Sequence, residues 1–316
     1  MQFRTFAIGM PVRFRGLERR EGMLVRGDAG WGEFSPFVDY DTAASVPWLA
    51  AALEAATQGW PDPLRDRVPV NCTVPAVGPE QAAEIVRRSG CRTAKVKVAE
   101  SGQSLGDDIA RLEAVRDVLG QSGRIRIDAN GAWTVDDAVT ALRLMDAAAG
   151  GLEYAEQPCA TAEELAAVRR RIDIPVAADE SIRRAEDPLR VKQLEAADVA
   201  VLKVHPLGGV RSCLRLAEQL DLPVVVSSAV ETSVGLAAGV ALAAALPDLP
   251  YACGLGTQSL LAGDVTEHPL VPVDGHLDVR PVDVDDAAFA QVAADVETDQ
   301  RWQERLSEVR AHDRNG

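Results

Sequence analysis

The sequence predicts an α/β fold, a TIM-type (β/α)7β barrel carrying a small α+β capping domain formed by the two ends of the chain. Three observations lead there. Short apolar runs alternate with helix-like segments at a period of about 25 residues, and the units share pattern rather than sequence, so they are supersecondary units and not a solenoid repeat. No Gly-rich phosphate loop follows the first run, which continues as VNCTVPAVGPE, and this disfavours an open doubly wound sheet. The two ends of the chain lack the alternation altogether.

Along the first 65 residues, FRTFAIGM, GMLVRG and WGEFSPF read as antiparallel strands with Gly-containing turns, followed by a helix from about Thr42 to Ala56. Eight apolar runs come next: VPVNCTV (68–74), TAKVKV (93–98), RIRIDAN (124–130), LEYAEQP (152–158), IPVAADES (174–181), VAVLKV (199–204), PVVVSS (223–228) and YACGLGT (251–257). Helical segments separate them at 79–89, 106–119, 134–148, 161–171, 186–195, 209–220 and 232–246. Thr134 followed by Asp136 and Asp137, and Thr161 followed by Glu163 and Glu164, are N-terminal capping signals. Ile174-Pro175 and Leu222-Pro223 stop two helices just before a strand. Strands alternating with helices imply a parallel sheet with right-handed crossovers, and eight of them close most simply into a barrel with its active residues at the strands' C-terminal ends. Past Thr257 the run HPLVPVDGHLDV reads as strand, and a helix follows from about Asp285 to Val309. The expected division is 66–265 for the barrel and 1–65 with about 266–316 for the cap.

Composition narrows the function. There are 33 Lys plus Arg against 48 Asp plus Glu, a net charge of −15, which argues against nucleic acid and anionic membranes as partners. A small anionic carboxylate remains possible as substrate if local cations or a metal overcome that field. The five cysteines (Cys72, Cys91, Cys159, Cys213, Cys253) show no CxxC spacing, so buried free thiols are expected rather than zinc or disulfides. The N-terminus has no apolar signal region, and the apolar stretch 224–246 contains Glu231 and divides into a strand and an Ala-rich helix. A soluble cytoplasmic protein without an obligate protein partner is expected.

In a barrel strand alternate residues face inward, and the apolar set marks the outward face. In AKVKV this turns Lys95 and Lys97 inward; in RIRID, Arg126 and Asp128; in EYAE, Tyr154 and Glu156; in VAAD, Ala177 and Asp179; in VAVLK, Val201 and Lys203. Five consecutive strands therefore each place a charge at the C-terminal end of the interior face. Such charges are costly unless paired or bound to an ion. Three carboxylates on adjacent strands form a hard, oxygen-only site suited to octahedral Mg²⁺, with Mn²⁺ as a substitute. Lysines on the flanking strands suit abstraction of a proton alpha to a carboxylate, with metal and ammonium stabilising the enediolate and a lysine of lowered pKa acting as base. A single K-x-K or D-A-N would mean little; the ordered set carries the reading.

The order K-x-K (Lys95, Lys97), D-A-N (Asp128, Asn130), E-Q-P (Glu156), D-E-S (Asp179) and V-L-K-V (Lys203) resembles the muconate-lactonizing branch of the enolase superfamily. GWGEFSPF (30–37), SSAVETSVG (227–235) and GLGTQSLLAGDV (254–265) extend the resemblance over nearly the whole chain. It implies that Asp128, Glu156 and Asp179 ligate Mg²⁺, that Lys97 is the base, that Lys203 stabilises charge from the opposite face, and that Lys95 tunes Lys97. The compact length and these motifs imply dehydration of 2-succinyl-6-hydroxy-2,4-cyclohexadiene-1-carboxylate in menaquinone biosynthesis. An N-succinylamino acid racemase or dipeptide epimerase using the same two lysines is the alternative. Ser227 and Ser228, the backbone of Gly254 and Thr257, Asn130, and Arg15 from a basic loop with Arg13, Arg19 and Arg20 are the candidate substrate contacts. His205 and Glu231 read as supporting residues, with Glu231 at a helix start, and Arg126 and Tyr154 as a deeper barrel layer.

Overall fold

The computed structural model describes residues 1–14 and 16–314. Strands β1 (Gln2–Phe14), β2 (Leu17–Arg26) and β3 (Trp31–Phe34) form an antiparallel sheet in that order, and helix α1 (Thr42–Thr57) packs on it. Gly32 permits the approach: a Cβ there would lie 2.0 Å from the Ala52 carbonyl oxygen of α1. Arg19 and Arg20 correct the expectation of a basic loop, because they sit within β2 opposite Gly9 and Ile8. Arg20 is drawn into the sheet because its guanidinium finds acceptors there. It donates to the Val230 carbonyl at 3.0 Å and the Ser35 hydroxyl at 2.8 Å, and lies over the Phe37 ring. Arg15 lies outside the described residues.

Eight parallel strands build the barrel: β4 (Arg67–Val74), β5 (Thr93–Lys97), β6 (Arg124–Asp128), β7 (Tyr154–Glu156), β8 (Val176–Ala178), β9 (Val199–Leu202), β10 (Val224–Val226) and β11 (Cys253–Gly256). Their crossovers are α2 (Pro79–Ser89), α3 (Leu105–Leu119), α4 (Val135–Ala149), α5 (Ala162–Arg169), the short pair α6 (Glu180–Arg183) and α7 (Arg190–Gln193), then α8 (Val210–Leu220) and α9 (Ser233–Ala245). The strands run β10-β9-β8-β7-β6-β5-β4-β11, and a Ser227–Gly254 bridge closes the ring. All eight expected strands are present. Thr134 and Thr161 cap α4 and α5 as their spacing implied. The segment 186–195 contains only a four-residue helix, because Asp187 accepts the Leu189 N–H at 2.9 Å and moves the helix start past Pro188.

Side-chain parity in the barrel follows the sequence reading. Ala94, Val96, Ile125, Ile127, Ala155, Val176, Ala178, Ala200 and Leu202 join the large core beneath the helices, whereas Tyr154, Ala177, Val199, Val201 and Val225 form a separate interior cluster. Arg126 closes the barrel floor, lying over the Tyr154 ring and donating to Asn71 and to the Ala252 carbonyl. All five cysteines are free and buried. Among the described residues no helix is long and apolar enough to cross a membrane.

The C-terminal segment differs from expectation in two places. HPLVPVDGHLDV yields one short strand, β12 (His276–Asp278), which pairs with β4 of the barrel. The final helix is split into α10 (Asp286–Val292) and α11 (Val296–Asp313), because the backbone between them turns to bond β1: Ala294 N–H donates to the Thr5 carbonyl at 3.0 Å. Trp302, Leu306 and Val309 of α11 pack with Phe34, Trp48 and Leu49 in the cap core, joining the two ends of the chain.

Buried polar groups fasten this cap to the barrel. Glu33 of β3 accepts the Thr232 N–H, the Thr232 hydroxyl and the Gly235 N–H at 3.1, 2.6 and 3.2 Å, so a cap carboxylate covers the open N-terminus of α9. Glu54 of α1 does the same for α8 through Val210 N–H at 2.7 Å. Glu231 lies beside these contacts, pairing with His205 Nδ1 at 3.0 Å and accepting the Ala229 N–H. Burial alone would raise its pKa, but His205, the Ser228 hydroxyl and the Ala229 N–H hold it at about 2.

A carboxylate depressed in this way stabilises the fold above its unfolded value of about 4.5 and ceases to do so as pH falls toward about 2. Urea unfolding of wild type and Glu231→Gln at a series of pH values should show the variant less stable at neutral pH. The gap should narrow between about pH 4.5 and 2. A gap independent of pH would remove this assignment.

Candidate active site

The C-terminal ends of β5 to β9 bring six buried charged side chains into one ring. Register sets their level: Lys97 lies opposite Asp128, Asp128 opposite Glu156, and Glu156 opposite Ala177, with Asp179 two residues beyond on the same face. Lys95 Nζ donates to both Glu156 oxygens at 2.9 and 3.0 Å and lies 3.4 Å from Asp128. Lys97 Nζ donates to Asp128 Oδ2 at 2.6 Å and to Asn130 Oδ1 at 2.5 Å. Lys203 Nζ, arriving from the other side, donates to Asp179 Oδ2 at 2.7 Å. All six are at most 8% exposed, so each charge depends on its neighbours rather than on water.

These environments divide the lysines. Burial lowers the pKa of Lys97, and the nearby Lys95 ammonium adds to the effect against the pull of Asp128. Lys95 is buried as deeply, yet Glu156 and Asp128 more than offset this and raise its pKa. Among the acids, burial and the flanking Asp128 and Asp179 charges push Glu156 up to about 7. Asp128 and Asp179 go the other way despite burial, held low by Lys97 and Lys95 and by Arg183 and Lys203 respectively.

Three crowded carboxylates, the central one with its pKa raised by its two acidic neighbours, are a donor set that fits a divalent cation. The carboxylates are turned to ammonium groups, so among the described residues no three-ligand cluster is preformed. Gln157 holds the backbone that carries the third carboxylate: its Oε1 accepts the Asp179 and Ser181 backbone N–H groups at 3.0 and 3.2 Å.

Of the candidate substrate contacts, Ser227, Ser228, Gly254 and Thr257 line one cavity with Lys95, Lys97, Asp128 and Lys203. The Ser228 and Thr257 hydroxyls are bonded to each other at 2.7 Å, and Ser228 also accepts the Val230 N–H. Gly254 admits no side chain, since a Cβ would lie 2.6 Å from Ser227 Oγ. Asn130 sits on the ring's outer side, its amide between Lys97 and Glu180 Oε1. His205 is buried against Glu231 and Trp48. Sequence reasoning missed Phe14 and Phe37, which the cap contributes to the cavity, and Ala229 and Val230 at the end of β10. It also missed Arg183, which donates to Asp179 Oδ1 at 2.8 Å. The spacing of Asp179 and Arg183, four apart at a helix start, was the available signal.

Comparison with known proteins identifies the family. Residues 79–283 match the family model described as enolase C-terminal domain-like, and residues 5–56 match enolase N-terminal domain-like. An o-succinylbenzoate synthase of Thermobifida fusca is 66% identical over 98% of this chain and 96% of its own. One from Mycolicibacterium smegmatis is 56% identical over 95% of this chain and 92% of its own. The muconate lactonizing enzyme of Pseudomonas fluorescens shares the fold with a TM-score of 0.79 at 21% identity, covering 93% of this chain and 98% of that one. By fold, by domain models and by sequence, the chain belongs to the o-succinylbenzoate synthase family of the enolase superfamily.

Proposed function

We propose that the protein is an o-succinylbenzoate synthase, a lyase that dehydrates 2-succinyl-6-hydroxy-2,4-cyclohexadiene-1-carboxylate. The observation that carries the chemistry of this reading, removal of a proton alpha to a carboxylate, is the pair of buried lysines, Lys97 and Lys203, on opposite sides of the three-carboxylate set. Close kinship with synthases of that name supports the choice of reaction. Asp128, Glu156 and Asp179 would hold a divalent ion, taken as Mg²⁺ with Mn²⁺ as a substitute. When bound, that ion supplies Lewis-acid stabilisation of charge on the substrate carboxylate.

Lys97 is suited to be the base because burial and Lys95 both favour its neutral amine. It takes the proton alpha to the carboxylate, and the C–H pair moves toward the carboxylate group. Lys203, a fixed ammonium across the ring, stabilises the negative charge that builds there. Lys97, now protonated, donates to the departing hydroxyl as the C–O bond breaks, and water leaves as the ring becomes aromatic. Lys95 stays charged against Glu156 and keeps the base's pKa down. Asn130 fixes the Lys97 amine from the side, a role in aiming the base. The edge formed by Ser227, Ser228, Gly254 and Thr257 receives the succinyl end, with Phe14 and Phe37 excluding water above it.

Purified protein with Mg²⁺ and the cyclohexadiene substrate should show loss of substrate absorbance. Absence of turnover together with rapid racemisation of N-succinylamino acids would replace the lyase reading by the racemase one, which the same two lysines could serve. Lys97→Ala and Lys203→Ala should each lower kcat by about a thousandfold, within the range for loss of a positioned proton-transfer or charge-stabilising group. A variant near wild-type rate refutes the role given to that lysine. Chelation should abolish turnover, and added Mg²⁺ or Mn²⁺ should restore it; persistent activity in chelator would exclude the proposed ion.

A further inference from the structure

Arg183 lies at the end of the single-turn helix α6, four residues past Asp179, with 1% of its side chain exposed. A guanidinium so buried needs an acceptor for each edge. Its Nε donates to Asp179 Oδ1 at 2.8 Å, its Nη2 to Glu180 Oε1 at 2.5 Å, and its Nη1 to the Tyr40 hydroxyl of the cap. Glu180 Oε1 also accepts from Asn130 Nδ2 at 3.1 Å, and Asn130 Oδ1 accepts from Lys97. On its other side Asp179 accepts from Lys203. The contacts therefore run Lys97–Asn130–Glu180–Arg183–Asp179–Lys203, a polar chain joining the two lysines behind the carboxylates.

We infer that Arg183 is a positioning residue for the proposed reaction, fixing Asp179 and, through Glu180 and Asn130, the aim of Lys97. The inference rests on reading Asp179 as a ligand of the divalent ion. A carboxylate held at Oδ1 by a planar fork cannot rotate freely, so Oδ2 is the oxygen kept toward the interior. The fork meets Asp179 and Glu180 at once from a fixed plane, which a lysine's point charge cannot do. Tyr40 anchors the third edge, so seating of the cap and orientation of the ligand share one side chain. Groups that orient ligating side chains are typically worth ten- to a hundredfold in metal affinity or activity.

The test is calorimetric titration of Mg²⁺ into metal-free full-length wild type, Arg183→Gln, Arg183→Lys and Tyr40→Phe, with Asp179→Asn as a control and thermal unfolding of each. Arg183→Gln should weaken Mg²⁺ binding about tenfold or more. At saturating Mg²⁺ it should lower kcat while KM stays within about twofold, the signature of an interaction that matters in the transition state. Arg183→Lys should recover part of both losses, and Tyr40→Phe should show a smaller loss in the same direction. A folded Arg183→Gln with wild-type Mg²⁺ affinity and kcat overturns the inference. If that variant does not fold, wild-type affinity and kcat in both Arg183→Lys and Tyr40→Phe overturn it instead. Wild-type Mg²⁺ binding by Asp179→Asn would instead refute Asp179 as a ligand, a failure of the underlying reading that is distinct from a failure at Arg183.

Discussion

Everything at the mouth of this barrel depends on compensation between buried charges. Lys95, Lys97, Asp128, Glu156, Asp179 and Lys203 are removed from water, and no one of them could be ionised there alone. Order round the ring solves the problem. The carboxylates occupy the three middle strands, and the lysines stand outside them on β5 and β9. Each ammonium thus lies within 3 Å of at least one carboxylate oxygen. Repulsion within the ring is not fully offset, because the central carboxylate has an acid on each side and its pKa is pushed up to about 7. A divalent ion held by Asp128, Glu156 and Asp179, as proposed, would relieve that repulsion and weaken the hold of Asp128 on Lys97.

The cap is constrained by the same rule. Its contacts with the barrel are partly apolar, but the ones that define its position are polar groups satisfied across the boundary. Glu33 and Glu54 each cover a barrel helix N-terminus, and Arg20 reaches the carbonyl of Val230. Val230 holds φ at +63°, an uncommon conformation for a β-branched residue, and both its N–H and its carbonyl are bonded. That loop lines the cavity, so part of the cavity wall is held by the cap.

The barrel and its six-charge ring were legible in the sequence because both rest on period two. Alternation marks which side chains face inward, and strand ends mark the level, so Lys97, Asp128, Glu156, Asp179 and Lys203 could be placed together without coordinates. What escaped depended on contacts that no period encodes. Arg20 appeared to belong to a basic loop, and only its acceptors on Ser35 and Val230 explain its burial. Arg183 lay four residues beyond Asp179 in plain view, but its meaning comes from Tyr40, far away in the chain. The helix expected over 186–195 failed through one local competition, Asp187 bonding Leu189 across Pro188. The break before α11 is a tertiary effect, since the backbone there is taken by β1.

The charge ring cannot by itself choose between dehydration and epimerisation, since both need a base, an opposed ammonium and a stabilised carboxylate. The choice must lie in what surrounds the ring. A racemase needs Lys203 to deliver a proton to the far face, whereas a dehydratase needs Lys203 only as charge and needs its leaving group near Lys97. In this chain Lys203 is held against Asp179, whose other oxygen is fixed by Arg183, while Lys97 sits at the side of the cavity covered by Phe14. Lys97 is bonded to Asp128 as Lys203 is to Asp179, so what sets the two sides apart is the Arg183 contact behind Asp179 and the Phe14 ring near Lys97. In the proposed dehydration a hydroxyl protonated there would leave as water while the ring gains aromatic stabilisation, which would disfavour the reverse addition. The groups that would distinguish the two reactions are thus those of the cap and those behind the ring, while the order of charges would serve the step both share, removal of the alpha proton.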